Sequence, residues 1–279
     1  MNAKALVLVL ISVCMLMTGK PVHAEEKMKV KLSTGFDYSQ GDYGRTIDTE
    51  IWYFPLITKA TYKNWSAKLT VPYLQIKGPG GVIGGGDVVV VCDDNSGPGK
   101  GGGCPDVNTN ANANTVTTES GLGDIIGSLT YTLYLEDNDL YLDFTGKIKV
   151  PAADEDKGLG TGETDYTVQL DFTKMFGSAY IFGGGGRRFV GENERLQFDD
   201  VWLFNAGAGY QISKKFGVGV SYDFRESPSI AEDLSEATAY FTYKVTDSIT
   251  TMLYGVVGFS DGSPDNSVGL QLNYKFDLF

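Results

Sequence analysis

The residue types that most often carry acid–base catalysis are scarce in this sequence. Its single histidine is His23, which lies in an N-terminal segment that we expect to be removed. Without an imidazole, a serine or aspartate mechanism has no side chain that exchanges protons near neutral pH. Carboxylates are abundant, yet none pair in a motif typical of carboxylate-only hydrolases. We therefore predict no catalytic residues, no cofactor, no metal site and no enzymatic activity.

Two cysteines form the other chemically reactive pair. Cys92 and Cys104 lie in a region rich in glycine and asparagine. In an oxidising compartment, such a pair is most simply a disulfide. Zinc binding is the alternative, but two thiols without a histidine supply fewer ligands than a structural zinc site requires. We expect a disulfide that closes a short loop.

The first residues indicate export. Lys4 precedes the apolar run Ala5–Met17, and Val22-His23-Ala24 has the small-x-small ending that signal peptidase accepts. The run is too short to cross a bilayer as a helix, which needs about 20 apolar residues. We therefore expect residues 1–24 to be a signal peptide and residues 25–279 to form one domain.

The remaining chain is acidic. Removal of the signal peptide takes Lys4 and Lys20 from the 23 basic residues and nothing from the 35 acidic ones. A chain with this balance repels phosphate backbones, so nucleic acid is not expected as a partner.

The rest of the sequence alternates between strand-like segments and turns rich in Gly, Asp, Asn, Ser and Pro. From Phe216 to Phe224, for example, bulky apolar residues occupy the even positions and small or polar residues the odd ones. Membrane barrel strands have this pattern, because their side chains face lipid and the barrel interior, or lumen, in turn. The predicted fold class is all-β, a transmembrane antiparallel up-and-down β-barrel of about twelve strands. The predicted strands are 28–38, 46–57, 65–77, 123–135, 139–150, 164–173, 178–189, 199–212, 216–225, 235–245, 249–259 and 267–278.

Short and long links alternate along these strands, which predicts periplasmic turns, extracellular loops and both termini in the periplasm. The longest link, 78–121, is expected to be an extracellular loop. The last strand alternates and ends at Phe279, similar to the signal that the barrel-assembly machinery recognises, although Phe279 is out of phase. We expect the outer membrane of a Gram-negative bacterium, with the lipid bilayer, lipopolysaccharide and the assembly machinery as partners.

Charged residues on the predicted lumen face could form a cross-strand lattice that stiffens the barrel, or a selectivity lining for a pore. These lumen charges are Lys29, Lys31, Glu50, Asp143, Lys147, Asp223 and Arg225.

An apolar and aromatic sector is predicted where the barrel closes. It could hold or pass a hydrophobic small molecule, or it could be packing around an inward-folded loop. Its predicted solute-binding residues are Trp52, Phe54, Tyr240, Met252 and Tyr254.

Three motifs carry a family resemblance. Gly121-Leu122-Gly123-Asp124-Ile125 opens the fourth predicted strand, Lys149-Val150-Pro151 ends the fifth, and Leu159-Gly160-Thr161-Gly162 precedes Asp165-Tyr166 in the sixth. The chain resembles the outer-membrane family of MetA-pathway phenol-degradation proteins, broadly labelled as transporters. The resemblance implies passage of hydrophobic or aromatic small molecules. The motifs themselves have the character of fold determinants, and the long loop with its two cysteines departs from the family pattern.

Three functions follow from these observations. The first is passive diffusion of small, aromatic or hydrophobic solutes through the lumen. The second is a non-transporting surface protein whose disulfide-bearing loop binds a partner or ligand. The third, a barrel hydrolase, is the one that the absence of histidine from the expected mature chain, residues 25–279, argues against.

Overall fold

The structure is a computed structural model, and it describes residues 27–84, 89–91, 116–192, 198–229 and 232–278. Among these residues no helix is long and apolar enough to cross a membrane. The strands are β1 (Met28–Gly41), β2 (Thr49–Tyr62), β3 (Trp65–Gly78), β4 (Val82–Gly84), β5 (Val89–Val91), β6 (Thr117–Leu122), β7 (Ile125–Leu135), β8 (Leu140–Val150), β9 (Asp165–Phe176), β10 (Ala179–Phe189), β11 (Val201–Gln211), β12 (Phe216–Arg225), β13 (Leu234–Lys244), β14 (Ile249–Gly258) and β15 (Asn266–Leu278). Single 3-10 turns occur at Glu136–Asn138 and Glu155–Lys157.

The strands close into a barrel. Successive wall strands pair antiparallel, and β1 pairs with both β2 and β15, so the described wall closes on itself. β6 and β7 pair with the two halves of β3 and together form one wall strand. The wall therefore has twelve strands, as predicted, while β4 and β5 form a separate two-stranded sheet.

The connections also alternate as predicted, with one difference. The second strand continues to Tyr62, so its link to β3 consists of Lys63 and Asn64 only, and the longer link predicted at 58–64 is wrong. Lys63 has a φ of 52°, in the left-handed region that tight hairpin turns use.

The two faces of the wall differ in polarity. On β9, Tyr166, Val168, Leu170 and Phe172 are 39–56% exposed, whereas Thr167 between them is buried. A soluble protein would bury large apolar residues, but a membrane barrel presents them to lipid. The outer face therefore contacts the bilayer, and the alternate residues line the lumen.

Aromatic pairs mark the short-turn end of the outer face. The rings of Trp65 and Tyr131 lie 5.0 Å apart, and those of Phe216 and Tyr243 lie 4.8 Å apart. Aromatic rings prefer the interface between lipid and water, so these pairs place the membrane boundary near the short turns.

Candidate functional site

A cavity of about 320 Å³ lies in the lumen where the barrel closes. It is bordered by residues of β1, β2, β13, β14 and β15, most of them inward-facing. Its lining is mostly apolar and aromatic, and includes Tyr53, Pro55, Ile57, Tyr240, Met252, Tyr254, Val256 and Gln271. Tyr240, Met252 and Tyr254 are thus brought together at this cavity, in the sector that the sequence indicated.

The predicted orientation of Trp52 and Phe54 is wrong. Tyr53 pairs with Asp37 and lines the cavity, so its neighbours Trp52 and Phe54 face outward. Trp52 packs on the ring of Tyr38 at 4.8 Å, and Phe54 is 41% exposed. The reason is that β2 is apolar on both faces, so its own sequence does not show which residues face the lumen and which face lipid. The pairing with β1 decides it, because Asp37 lies on the lumen face.

Inward-facing tyrosines lie flat against the wall. The ring of Tyr240 covers Gly219 of β12 and that of Tyr254 covers Gly269 of β15, so closely that a Cβ on either glycine would collide with the ring. Small inward residues thus leave space for large rings on the next strand. The tyrosine hydroxyls supply polar groups on this otherwise apolar surface. The hydroxyl of Tyr240 lies within hydrogen-bond distance of the hydroxyl of Tyr180, at 3.0 Å.

Asp37 is the carboxylate of this sector. It accepts a hydrogen bond from Ser267 at 2.8 Å and another from Tyr254. The cavity therefore combines an apolar wall with a few fixed polar groups, which is the usual composition of a small-molecule site.

Six of the seven predicted lumen charges lie on inward-facing positions. They are Lys29, Lys31, Asp143, Lys147, Asp223 and Arg225. Glu50 is the exception. It shares the outward phase of Trp52 and forms an ion pair with Lys77 at 2.8 Å, so its prediction as a lumen charge is wrong for the same reason of strand phase.

Several like charges of the described lumen face lie directly opposite one another. Asp143 lies directly opposite Asp171, and Asp223 lies opposite Glu236. Lys31 lies between two further lysines. Opposite-sign pairs also occur, such as Lys29 opposite Asp277, so the described lumen face contains both like-charge and opposite-charge neighbours across strands.

An apolar cluster lies inside the barrel at the long-loop end. Leu74 and Ile76 project inward from β3 and pack with Val82, which follows that strand, and with Leu159 of the 151–164 loop. Tyr43 of the first loop completes the cluster, and burial raises the pKa of its hydroxyl. We call these loop residues and their wall contacts the plug. A loop therefore does fold into the barrel, as one of the two sequence interpretations proposed. Its wall contacts are Ile51 of β2 with Leu74 and Ile76 of β3, and not the residues of the cavity on β13 and β14.

The family model described as "Putative MetA-pathway of phenol degradation" matches residues 44–276. The chain belongs to this family. No curated protein sequence matches this phenol-degradation family member. Cys92 and Cys104 both lie outside the described residues, so their disulfide stays a prediction, as does the signal peptide at 1–24.

Solved structures share the fold of this family member. An outer membrane channel from Pseudomonas putida F1 superposes with a TM-score of 0.61 at 10% identity, covering 92% of this chain and 100% of that one. The NanC porin gives a TM-score of 0.55 at 12% identity, covering 88% and 100%. The KdgM porin gives 0.51 at 8% identity, covering 88% and 99%. This phenol-degradation family member is an outer-membrane β-barrel.

The family motifs converge on one buried ionic centre. Lys149 at the end of β8 lies 3.0 Å from a carboxylate oxygen of Asp165 and 3.4 Å from one of Asp124, and donates a hydrogen bond to Thr161 at 2.8 Å. The second oxygen of Asp124 accepts hydrogen bonds from the backbone of Ala152 and Ala153. Segments far apart in sequence are thus joined where the 151–164 loop enters the lumen.

The glycines of these motifs have a packing role. A Cβ on Gly160 would meet the Asp124 carboxylate, and one on Gly121 would meet Leu159. The motif residues therefore position the plug, and solute contacts belong to the cavity.

Proposed function

We propose that the protein is a passive outer-membrane channel for small solutes, with aromatic and other hydrophobic molecules as the preferred class. The observation that carries the proposal is the lumen cavity, because its apolar and aromatic lining is unusual for a water-filled barrel interior. Family membership and the channel folds of the similar structures support it. No catalytic step is part of the proposal.

The size and chemistry of the cavity fit this class. A protein cavity of roughly 150 Å³ can hold benzene, and this one has about 320 Å³. The hydroxyls of Tyr240 and Tyr254 can orient a polar substituent while the ring contacts Met252 and Pro55. A few polar groups at fixed positions on an apolar surface orient the solute without binding it tightly. Passage through a channel requires such weak binding.

Neighbouring residues of β2 provide the experiment. Tyr53→Ala removes an aromatic contact from the cavity, worth about 0.5–1.5 kcal/mol, or roughly twofold to tenfold in solute affinity. Phe54→Ala removes a similar ring from the lipid face and is the matched control. We expect uptake of 4-nitrophenol by vesicles containing the protein to change in Tyr53→Ala only. Equal uptake by both variants and the wild type would contradict the proposal.

The C-terminal strand β15 is proposed as the segment that the assembly machinery recognises, and the long loops as the contact with lipopolysaccharide. The alternative function is a non-transporting surface barrel whose disulfide-bearing loop, residues 78–121, binds a partner or ligand. Residues 92–115 of this loop, which include both cysteines of the predicted disulfide, lie outside the described part of the chain.

A further inference from the structure

Four lysines lie side by side on the inner wall. Lys31 of β1 is the direct cross-strand partner of Lys275 of β15 and of Lys59 of β2, and Lys59 is the partner of Lys68 of β3. Four adjacent strands thus contribute one lysine each, at the same register. We call this set the lysine row.

The four lysines lie at the same height along the barrel and face the lumen. Each lysine lies three residues from the short-turn end of its strand, where β1 begins at Met28 and β15 ends at Leu278. Lys31 has the same phase as Asp37, and Lys59 the same phase as Tyr53, which lines the cavity. The row therefore forms a band inside the periplasmic mouth.

Folding alone does not account for this arrangement. Like charges directly opposite each other on a sheet destabilise it, and Lys31 experiences the charges of Lys59, Lys275 and Lys68 together. Within the described ranges, neither Lys31, Lys59 nor Lys275 forms an ion pair. The nearest acidic residue on β15, Asp277, lies directly opposite Lys29 and not opposite a lysine of the row. For Lys31, Lys59 and Lys275, no ion pair among the described residues offsets this cost, which indicates a use for their positive charge.

The lysine row adjoins the apolar cavity. On β2, Lys59 is the next inward residue after Ile57, which lines the cavity, and the step is about 6.7 Å along a strand. On β1 and β15, one polar row intervenes, where Ser33 donates a hydrogen bond to Asn273 at 2.7 Å. Along the inner wall, an apolar surface is thus followed by hydrogen-bonding groups and then by positive charge.

We propose that the lysine row binds the carboxylate of small aromatic acids whose ring occupies the cavity. Ammonium groups make short, charge-assisted hydrogen bonds to carboxylates, and flexible lysine side chains can reach toward the cavity. The ring half of this site rests on the function proposed above. The anion half depends only on the four lysines.

Equilibrium binding to the detergent-solubilised full-length protein tests the site without requiring transport. Benzoate, acetate and benzyl alcohol are the probes, titrated by calorimetry against wild type and Lys31→Gln/Lys59→Gln. We expect benzoate to bind tighter than either acetate or benzyl alcohol. The double variant should bind benzoate roughly tenfold more weakly, since a hydrogen bond to a charged group is worth that much or more.

Lys244→Gln is the matched control. Lys244 also lies at the short-turn end of the lumen face, on β13, but it forms an ion pair with Asp247 at 2.8 Å. Its loss should leave benzoate binding unchanged. An equal loss of benzoate affinity in Lys244→Gln and in the double variant would overturn the proposal, because the general positive potential of the lumen would then explain both results. Equal affinity for acetate and benzoate would also overturn it.

Stability separates a binding role from a structural one. The double variant removes like-charge repulsion, so it should resist urea unfolding at least as well as the wild type. Reduced stability would assign the lysines to the fold and contradict the proposal. Failure of the channel function would appear differently, as absent solute flux with benzoate binding intact.

Discussion

The ammonium group of Lys149 lies 3.0 Å from a carboxylate oxygen of Asp165, and both side chains are about 95% buried. Asp124, fully buried, is the second carboxylate at this ammonium group. Breaking a buried ion pair by removal of one partner leaves an uncompensated charge. The contact therefore fixes the 151–164 loop, and with it Leu159, against the inner wall.

Lys149→Ala should lower the free energy of unfolding by about 3–5 kcal/mol. Lys157→Ala is the control, because Lys157 is exposed and its ion pair with Asp154 is long, at 3.9 Å. That control should change stability by less than about 1 kcal/mol. Urea unfolding in lipid vesicles measures both, and similar values for the two variants would contradict a structural role for the buried centre.

Leu159→Ala should loosen the plug. Leu159 is completely buried among Leu74, Ile76 and Val82, and a leucine truncated in a packed core costs about 2–5 kcal/mol. We expect faster hydrogen exchange in residues 151–164 and a higher channel conductance. Leu122→Ala removes the same atoms from an exposed outer position and should leave conductance unchanged. If both variants conduct like the wild type, the plug does not restrict the lumen.

Gly219→Val should tilt the ring of Tyr240 into the cavity. No side chain fits between Gly219 and that ring, whereas nothing lies within 4 Å of a Cβ at Gly146 on β8. Overpacking of this kind costs about 1–3 kcal/mol and should reduce aromatic solute uptake. Gly146→Val is the control with a normal uptake rate. Unchanged uptake in Gly219→Val would mean that the flat tyrosines do not shape the solute path.

Deletion of residues 92–104 should leave solute uptake intact, because the described plug and cavity are built from other residues. Thiol titration of the unfolded, unreduced wild type without residues 1–24, which contain Cys14, should find no free thiol if Cys92 and Cys104 are joined. Loss of uptake on deletion would favour a role for this loop in function, and free thiols would refute the predicted disulfide.

Strand positions were predictable because lipid and lumen impose opposite polarity on alternate residues. Where that contrast fails, as in β2 between Ile51 and Ile57, the phase depends on pairing with β1 and could not be obtained from the strand alone. The predicted lumen orientation of Trp52, Phe54 and Glu50 is wrong for this reason. The predicted second strand ends at residue 57, whereas β2 continues to Tyr62. Lys59 therefore lies outside the predicted strand, and its position on the lumen face could not be predicted.

The interior could be predicted only in part. The position of Tyr240, Met252 and Tyr254 at one cavity is predictable, since β13 and β14 alternate clearly, while their contact with a solute stays a prediction. The plug depends on loop residues such as Tyr43 and Leu159, whose position follows from tertiary contacts. The convergence of Asp124, Lys149 and Asp165 likewise required the barrel register, although their motifs were visible in the sequence.

The most direct measurement is solute entry into vesicles whose outer leaflet is lipopolysaccharide, which slows unaided diffusion of apolar molecules. Entry of 4-nitrophenol and of glucose is compared for vesicles with and without the protein. The proposed function predicts that the protein accelerates 4-nitrophenol entry far more than glucose entry. No acceleration of either solute, or a larger effect on glucose, would contradict it.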